Sequence, residues 1–396
     1  MSLTSLSPAR ALSTEQQSRP TAPTLRWRVY SRPETEEALQ AWRELQVELQ
    51  ESGCANSAAW ISCWVRHYGD CVPYQFLALE VADQTRGIGL ITTGQQQQLG
   101  PFPIQTRHFG TAGEIPGESV VVEYNRALVH PELEAAFIQG CWEHLAHDLR
   151  WEQLCLDGFH ADDLAPWQAL LPTAVMRQRE SRYFDFTSVR GSGKELLQHL
   201  GSSTRSNIRR RIKKYTSLKT EWIDHPHDAT AAFEELITLH QARWHAVGQP
   251  GAFAAERFLA FQRDAVQRLI EADQAVVFRV QEQGETIGCL FLLRDRNRLL
   301  DYLSGFASFN EHPSIGLVSH YLCMEEALRR GFDAYDFLVG EKQHKQNLSN
   351  AATQLNWLTW TRPSWKSRLL QGLRSAKRLL TRWRRPSSTP DGESTT

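Results

Sequence analysis

The sequence predicts an α+β protein: a mixed, largely antiparallel sheet with helices on its faces, built as a unit that occurs twice. Three observations lead there. The second half of the chain reads strand, helix, helix, three strands, helix, strand, a loop or short helix, and a last strand. Three antiparallel strands feeding a helix and a further strand make an α+β order. No Gly-rich dinucleotide fingerprint opens a helix, which argues against a doubly wound parallel sheet. The first half repeats the order, its apolar hairpin preceding the second by roughly 200 residues, as a fold-level duplication would. One large mixed sheet is the alternative arrangement.

The elements follow from local pattern. In the first half, Leu25 to Tyr30 is strand-like, and Glu34 to Gln50 and Ala58 to Tyr68 are helix-like. Tyr74 to Val81 and Gly87 to Thr93 form an apolar hairpin, His130 to Leu149 a helix, and Glu152 to Leu156 a short strand. Arg182 to Phe186 is the crossover into the second unit. There, Lys219 to Ile223 is a strand, and Ala229 to Ala246 and Ala254 to Glu271 are helical. Phe258, Phe261, Ala265 and Leu269 share one face of the latter. Ala275 to Val280 and Ile287 to Leu293 flank Glu282-Gln283-Gly284-Glu285, two β-rich runs around a Gly-containing turn. Leu299 to Phe306 is the third strand. Gly316 to Arg330 is a helix stopped by Gly331. Ala334 to Leu338 and Thr353 to Thr361 are the last strands.

Residues 1–24 are rich in Ser, Thr, Pro and Ala without periodicity and read as disordered. The units are expected at 25–180 and 181–362, with 363–396 holding a basic amphipathic helix and a disordered tail. In that helix Leu369, Leu373, Ala376, Leu380 and Trp383 form an apolar stripe, and no acidic residue occurs from Lys342 to Pro390. Such helices lie on anionic membrane surfaces, and packing on the protein or a partner is the competing use.

Lys plus Arg total 44 against 45 for Asp plus Glu, which excludes a globally basic nucleic-acid coat but not a local basic patch. No apolar run approaches the ~18–20 residues that span a bilayer. The start lacks a secretory pattern, and the seven scattered cysteines suggest neither a zinc site nor a disulfide scaffold. A cytoplasmic location is expected, with peripheral contact at the inner face of the cytoplasmic membrane through 365–385.

Four segments carry chemistry. Ser203-Thr204-Arg205-Ser206-Asn207-Ile208-Arg209-Arg210-Arg211 opens an acid-free run to Lys219 with seven basic residues. Arg205, Arg209 and Lys213 recur every four residues, so one helical face is cationic. It reads either as an anion site, with Arg210 beside it, or as a solvated face. Leu239-His240-Gln241-Ala242-Arg243-Trp244 precedes Gly248 and Gly251-Ala252-Phe253. Trp244 suits stacking on a sugar and His240 an acid or base, while a core Trp with a bonded His is the plainer reading. Tyr302-Leu303-Ser304-Gly305-Phe306 is followed by Ser314-Ile315-Gly316 at a helix start. Ser314 is a good N-cap, and a helix N-terminus also attracts anions. The fourth segment runs from Gly331 through Tyr335-Asp336-Phe337-Leu338-Val339-Gly340-Glu341 to Lys345. Asp336 is a candidate base, or a partner in an internal hydrogen bond. Glu341 and Lys345 are spaced to pair in solution. His320 is a further candidate, read as structural. No Ser-His-Asp order, metal-binding cluster or phosphate loop is present.

These segments, from about Ser202 to Trp360, resemble the GNAT-fold acyltransferases of the cellulose-biosynthesis (CelD-type) family, distantly related to the Fem aminoacyltransferases. The resemblance implies two tandem GNAT-like units, the second catalytic, with acyl-CoA as donor and no metal. The donor would lie where two parallel strands splay, around Leu303 and Asp336. Backbone at Leu303 and Ser304 would polarise the thioester, and Ser314, Ile315 and Gly316 would hold the pyrophosphate. Only Gly316 survives of the usual Arg or Gln with two glycines, and Glu311 is added. Asp336, His240 and Tyr302 are the catalytic candidates. Arg205, Arg209, Arg210, Lys213, Arg243, Trp244, Glu341 and Lys345 are the substrate-binding ones. The expected activity is direct transfer of an acetyl or other acyl group to an amine or hydroxyl. The acceptor is a small molecule or a cell-envelope or exopolysaccharide precursor, with no DNA partner. A Fem-like enzyme using aminoacyl-tRNA and a non-catalytic scaffold are the alternatives.

Overall fold

The computed structural model describes residues 24–364 except 51–52, 95–96, 100–101 and 122. The expected disorder of the first residues and the amphipathic helix at 365–385 lie outside the described residues. No helix among the described residues is long and apolar enough to cross a membrane.

The first unit runs β1 (Leu25–Tyr30), α1 (Thr35–Glu48), α2 (Ala58–Tyr68), β2 (Tyr74–Val81) and β3 (Gln84–Thr93). A two-stranded flap follows, β4 (Gln97–Leu99) and β5 (Phe102–Ile104), then β6 (Thr106–Phe109), β7 (Leu128–Val129) and α3 (Glu134–His147). It ends in β8 (Gln153–His160), α4 (Ala161–Leu170) and β9 (Val175–Asp185). After the single turn α5 (Thr187–Arg190) comes α6 (Ser202–Ile212). The second unit continues with β10 (Leu218–Ile223), α7 (Pro226–His245), α8 (Glu256–Glu271), β11 (Ala275–Glu282), β12 (Glu285–Asp295) and β13 (Arg298–Phe306). It closes with α9 (Ile315–Arg329), β14 (Ala334–Val339), α10 (Gln343–Leu348) and β15 (Ala351–Thr361). The apolar stripe expected on α8 is buried, Phe261, Ala265 and Leu269 completely.

The two hairpins match in detail. Ala82 and Asp83 in one turn, and Gln283 and Gly284 in the other, all have positive φ, the geometry of a two-residue type I′ turn. Each hairpin slips register on the returning strand, leaving Arg86 and Ile287 unmatched. The next residue is glycine in both. A Cβ on Gly87 would strike Phe137 and Val129, and one on Gly288 would strike Ser319. Both glycines let a helix, α3 or α9, cross close over the strand.

Duplication and a single sheet turn out not to be alternatives. The strand order is β1-β2-β3-β6-β8-β15-β9-β14-β13-β12-β11-β10, with the two-residue β7 pairing beside β6 on β3, in one 13-stranded sheet. Each unit gives its last strand to the other. β9 pairs antiparallel with β14, β15 pairs antiparallel with β8, and the two exchanged strands pair with each other. The expected crossover at 182–186 is therefore largely part of a sheet strand, and α4 is a helix that the sequence reading does not include. One apolar cluster spans both units, α1 and α2 packing with α7 and α8, as when Trp60 meets Phe261 edge-on at 5.1 Å. Smaller clusters lie under α9 and under α3 and α4.

Candidate active site

Each unit contains one parallel strand pair, and the two pairs end differently. In the first, β6 and β8 pair through Thr106 to His108, and the gap beyond is filled by the chain itself. Asn125 bridges to Phe159, its N–H reaches the Gly158 carbonyl, and its Nδ2 donates to the Phe109 carbonyl at 2.8 Å. In the second, β13 and β14 pair only over Arg298 to Leu300 and Ala334 to Asp336. β13 then bulges, Tyr302 having no partner on β12. β14 turns away at Leu338, where φ is +58°. Where they part, a cavity of about 570 Å³ opens between β13, the start of α9 and the segment that follows β14, Lys342 to Lys345.

The start of α9 faces this cavity. Ser314 is left-handed and its side chain makes no capping bond, so it is not the simple N-cap that its type suggests. The first helical bond is Val318 N–H to the Ser314 carbonyl at 3.1 Å, and Ile315 N–H turns back to His312 at 3.2 Å. The N–H groups of Gly316 and Leu317 have no partner among the described residues, and Ser314, Gly316 and Leu317 line the cavity. Free N–H groups and the helix dipole favour an anion there. Arg211, Arg243 and Lys342 add positive charge to the same wall, with Arg243 held over the Phe309 ring at 4.6 Å.

The cavity also holds Asp301, His320 and His344, whose polar atoms lie within 4.8 Å of one another. Burial raises the Asp301 carboxyl to about 6, against the pull of Lys345, His344 and Lys342. Burial, aided by Lys345 and Lys342, drops His320 to about 3, and burial drops His344 to about 4. At neutral pH the site is thus one carboxylate beside two neutral imidazoles. His320 Nδ1 lies 3.0 Å from the Tyr335 hydroxyl. Lys345 and Lys342 oppose a divalent cation at this trio. In the other trio with convergent ligand atoms, Cys63, His67 and Asp264, the carboxylate is already engaged by Arg268 at 2.6 Å.

Several sequence candidates sit elsewhere. Asp336 is fully buried and all its acceptor positions are used. Oδ1 accepts from Ser181 Oγ at 2.7 Å and Leu338 N–H at 2.8 Å, and Oδ2 from Tyr124 Oη and Arg298 Nη1 at 2.9 Å. A carboxylate so enclosed ties the two units together and does not line the cavity. Tyr302 borders the cavity, but its hydroxyl points into the shared core, where Gln262 donates to it at 2.8 Å, and burial raises its pKa. Leu303 packs against the same core. His240 donates from Nδ1 to the Ser304 carbonyl at 3.0 Å, with its ring 5.0 Å from Phe253. It supplies a partner for a carbonyl that β14 leaves behind, and burial lowers its pKa. Ser304 and Arg243 line the cavity, whereas Trp244 is 41% exposed and outside it.

On α6 the cavity receives Arg211, not Arg205, Arg209, Arg210 or Lys213. Arg205 and Arg210 bond locally to the Gln198 carbonyl and to Asn207. Glu341 is exposed and does not pair with Lys345. The Lys345 ammonium instead donates to the carbonyls of Phe337, Leu338 (3.0 Å) and Val339 (3.2 Å), holding the turned end of β14. Sequence reasoning passed over Asp301, Lys342 and His344, and named Arg211 only as part of the basic run. Asp301 had a signal, being the single acid within the apolar run Leu299-Leu300-Asp301-Tyr302-Leu303.

Residues 202–346 match the family model described as an acetyltransferase (GNAT) domain. No curated protein matches the sequence. Among solved structures, a DUF2156 domain from an Agrobacterium fabrum protein described as a putative lysylphosphatidylglycerol synthetase superposes with TM-score 0.51 at 11% identity, covering 87% of this chain and 97% of that one. FemX gives 0.48 at 11% identity, over 76% and 91%. A tandem GNAT protein from the clavulanic acid pathway gives 0.43 at 11%, over 86% and 100%. In sequence across 202–346 the protein is thus similar to the GNAT acetyltransferases, in fold it is similar to the DUF2156 domain, and the open crevice lies in the GNAT-matching segment.

Proposed function

We propose that the protein transfers an acyl group from acyl-CoA directly to an amine or hydroxyl, in the crevice between β13 and β14. The observation that carries this reading is that crevice: parallel strands that part at a bulge, beside an uncapped helix start and three cations, in the GNAT-matching segment. The donor's phosphates go to the α9 start with Arg211 and Arg243, and backbone at Leu303 and Ser304 polarises the thioester. Asp301 is the base. It takes the acceptor's proton as the acceptor bonds to the acyl carbon, the carbon–sulfur bond breaks, and the leaving thiolate takes that proton from Asp301, which returns the carboxylate. The carboxyl at about 6 is charged at neutral pH yet basic enough to work. The CelD-type resemblance supports a cell-envelope or exopolysaccharide precursor as acceptor, and the basic stripe at 365–385 supports a place at the inner membrane surface.

Calorimetric titration with acetyl-CoA, free CoA and charged tRNA tests the donor. Binding of CoA species alone is expected. Binding of tRNA alone moves the protein to a Fem-like aminoacyl transfer, and binding of neither leaves a scaffold. In the first case Asp301→Asn should bind donor and fail to transfer.

A further inference from the structure

The middle of a 13-stranded sheet is where exposed strand residues are least expected, yet Val175 to Glu180 of β9 are all exposed. The reason is the turn of β14. It pairs with β9 from Asp185 back to Ser181 through Val339 and goes no further. Residues 175–180 therefore bond to β15 on one side, through Thr359 to Gln354, and no strand among the described residues pairs on the other. Their outward N–H and C=O groups form an open ladder, the kind that accepts an extended chain.

Three features give this edge a direction and a charge. It begins at Ser181 and Val339, next to the strand end held by Lys345, which lines the crevice. Arg177 and Arg179 lie on one face, each guanidinium 5.7 Å from the Trp357 ring centre. The one nearby acid on the strand, Glu180, is paired to Arg182 at 2.6 Å. The edge is thus net cationic. Between edge and crevice stands Glu123 of the first unit, which accepts the Val339 N–H at 2.9 Å. Burial lifts its carboxyl to about 7, and it feels the charges of both Lys345 and Arg179.

We propose that the open edge of β9, Val175 to Glu180, is the acceptor lane, and that the acceptor is an extended, carboxylate-bearing peptide added as a strand and leading its amine into the β13–β14 crevice. This rests on the acyl-transfer reading above and narrows its acceptor. Main-chain pairing to β9 supplies affinity that does not depend on sequence, and Arg177 and Arg179 select carboxylates. Glu123 is a positioning residue. It fixes the turned end of β14 from the opposite unit and borders the lane with a hydrogen-bond acceptor suited to an incoming ammonium. The exchange of last strands between units then has a use, because it builds a lane from one unit that ends at the crevice of the other.

The test uses the full chain and two probes, the peptide acetyl-Glu-Val-Glu-Val-Lys-amide and its counterpart with each Glu replaced by Lys. Hydrogen exchange of the 175–180 amides is followed with each. Affinities are measured for wild type and for Arg177→Glu with Arg179→Glu. Acetyl-CoA binding is measured on the same samples. We expect the acidic peptide alone to slow exchange at 175–180, and the double variant to weaken its binding at least about tenfold with acetyl-CoA affinity unchanged. Glu123→Gln should raise the KM for peptide more than it lowers kcat. Absence of protection by the acidic peptide, equal protection by both peptides, or unchanged binding in the double variant overturns the lane. So does protection that grows with protein concentration alone, which marks a second copy as the occupant. Loss of acetyl-CoA binding with the peptide result intact would count against the transferase reading and leave the lane standing.

Discussion

Asp301 should cost the fold stability while serving the reaction, and Asp301→Asn separates the two. Its carboxyl is raised from 3.8 to about 6. That rise already includes the attraction of Lys345 and Lys342, so the charged form is disfavoured even with them present. Each tenfold change in proton affinity is worth ~1.4 kcal/mol, giving a ceiling of about 3 kcal/mol. The side chain keeps 10% exposure, so some screening remains and about 1–3 kcal/mol is the working range. The sign follows from proton binding. The folded state holds this proton more tightly than the unfolded state, so wild type loses stability as pH rises from the ordinary carboxylate value through about 6. A neutral amide of the same shape has no such loss. Asp301→Asn should therefore match wild type in mild acid, gain on it across pH 4–6, roughly, and keep a constant lead above that window. Denaturant melts of both proteins across that range give the difference, and the same samples give turnover. Turnover should fall by ~10² or more with donor affinity retained. A variant less stable than wild type at neutral pH would show that the carboxylate is held by net attraction. A pH-independent gap would refute the linkage, and wild-type turnover would remove Asp301 from the chemistry.

Three further outcomes follow from the same geometry. Asp336→Asn should lower the melting temperature sharply, on the scale of ~3 kcal/mol, because Arg298 and Tyr124 lose a buried acceptor; normal stability with lost turnover would return Asp336 to the reaction. Arg211→Gln with Arg243→Gln should weaken acetyl-CoA binding by about tenfold or more, most at low salt, whereas changing Arg205, Arg209 and Lys213 together should do little. Equal effects of the two sets would mean that the whole α6 face holds the donor. In liposome flotation the full chain should rise with anionic vesicles and a chain ending at Pro363 should not; equal behaviour of the two removes the 365–385 segment as an anchor.

What the sequence determined alone was local. The two-residue turns at Ala82-Asp83 and Gln283-Gly284, the stripe of α8 and the order of strands and helices all come from neighbours within a few positions. Their repetition made the tandem α+β plan legible, and the segments from 202 onward made the GNAT likeness legible. Tertiary structure decided where polar groups face. Asp301 and Asp336 are both single acids in short apolar strands, and alternation gives each a face without saying which face borders a void. The register of β13 against β14 put Asp301 in the crevice and closed Asp336 inside a knot with Tyr124, Ser181 and Arg298. On α6 the spacing of Arg205, Arg209 and Lys213 showed a cationic face, but the helix's rotation against the sheet chose Arg211 for the cavity. The exchange of β9 and β15 had no sequence signal, since strand pairing between segments more than 150 residues apart is set by which edges the assembled sheet leaves unsatisfied. The same physics opened one parallel pair and let Asn125 fill the other, and so fixed which of two similar units carries the site.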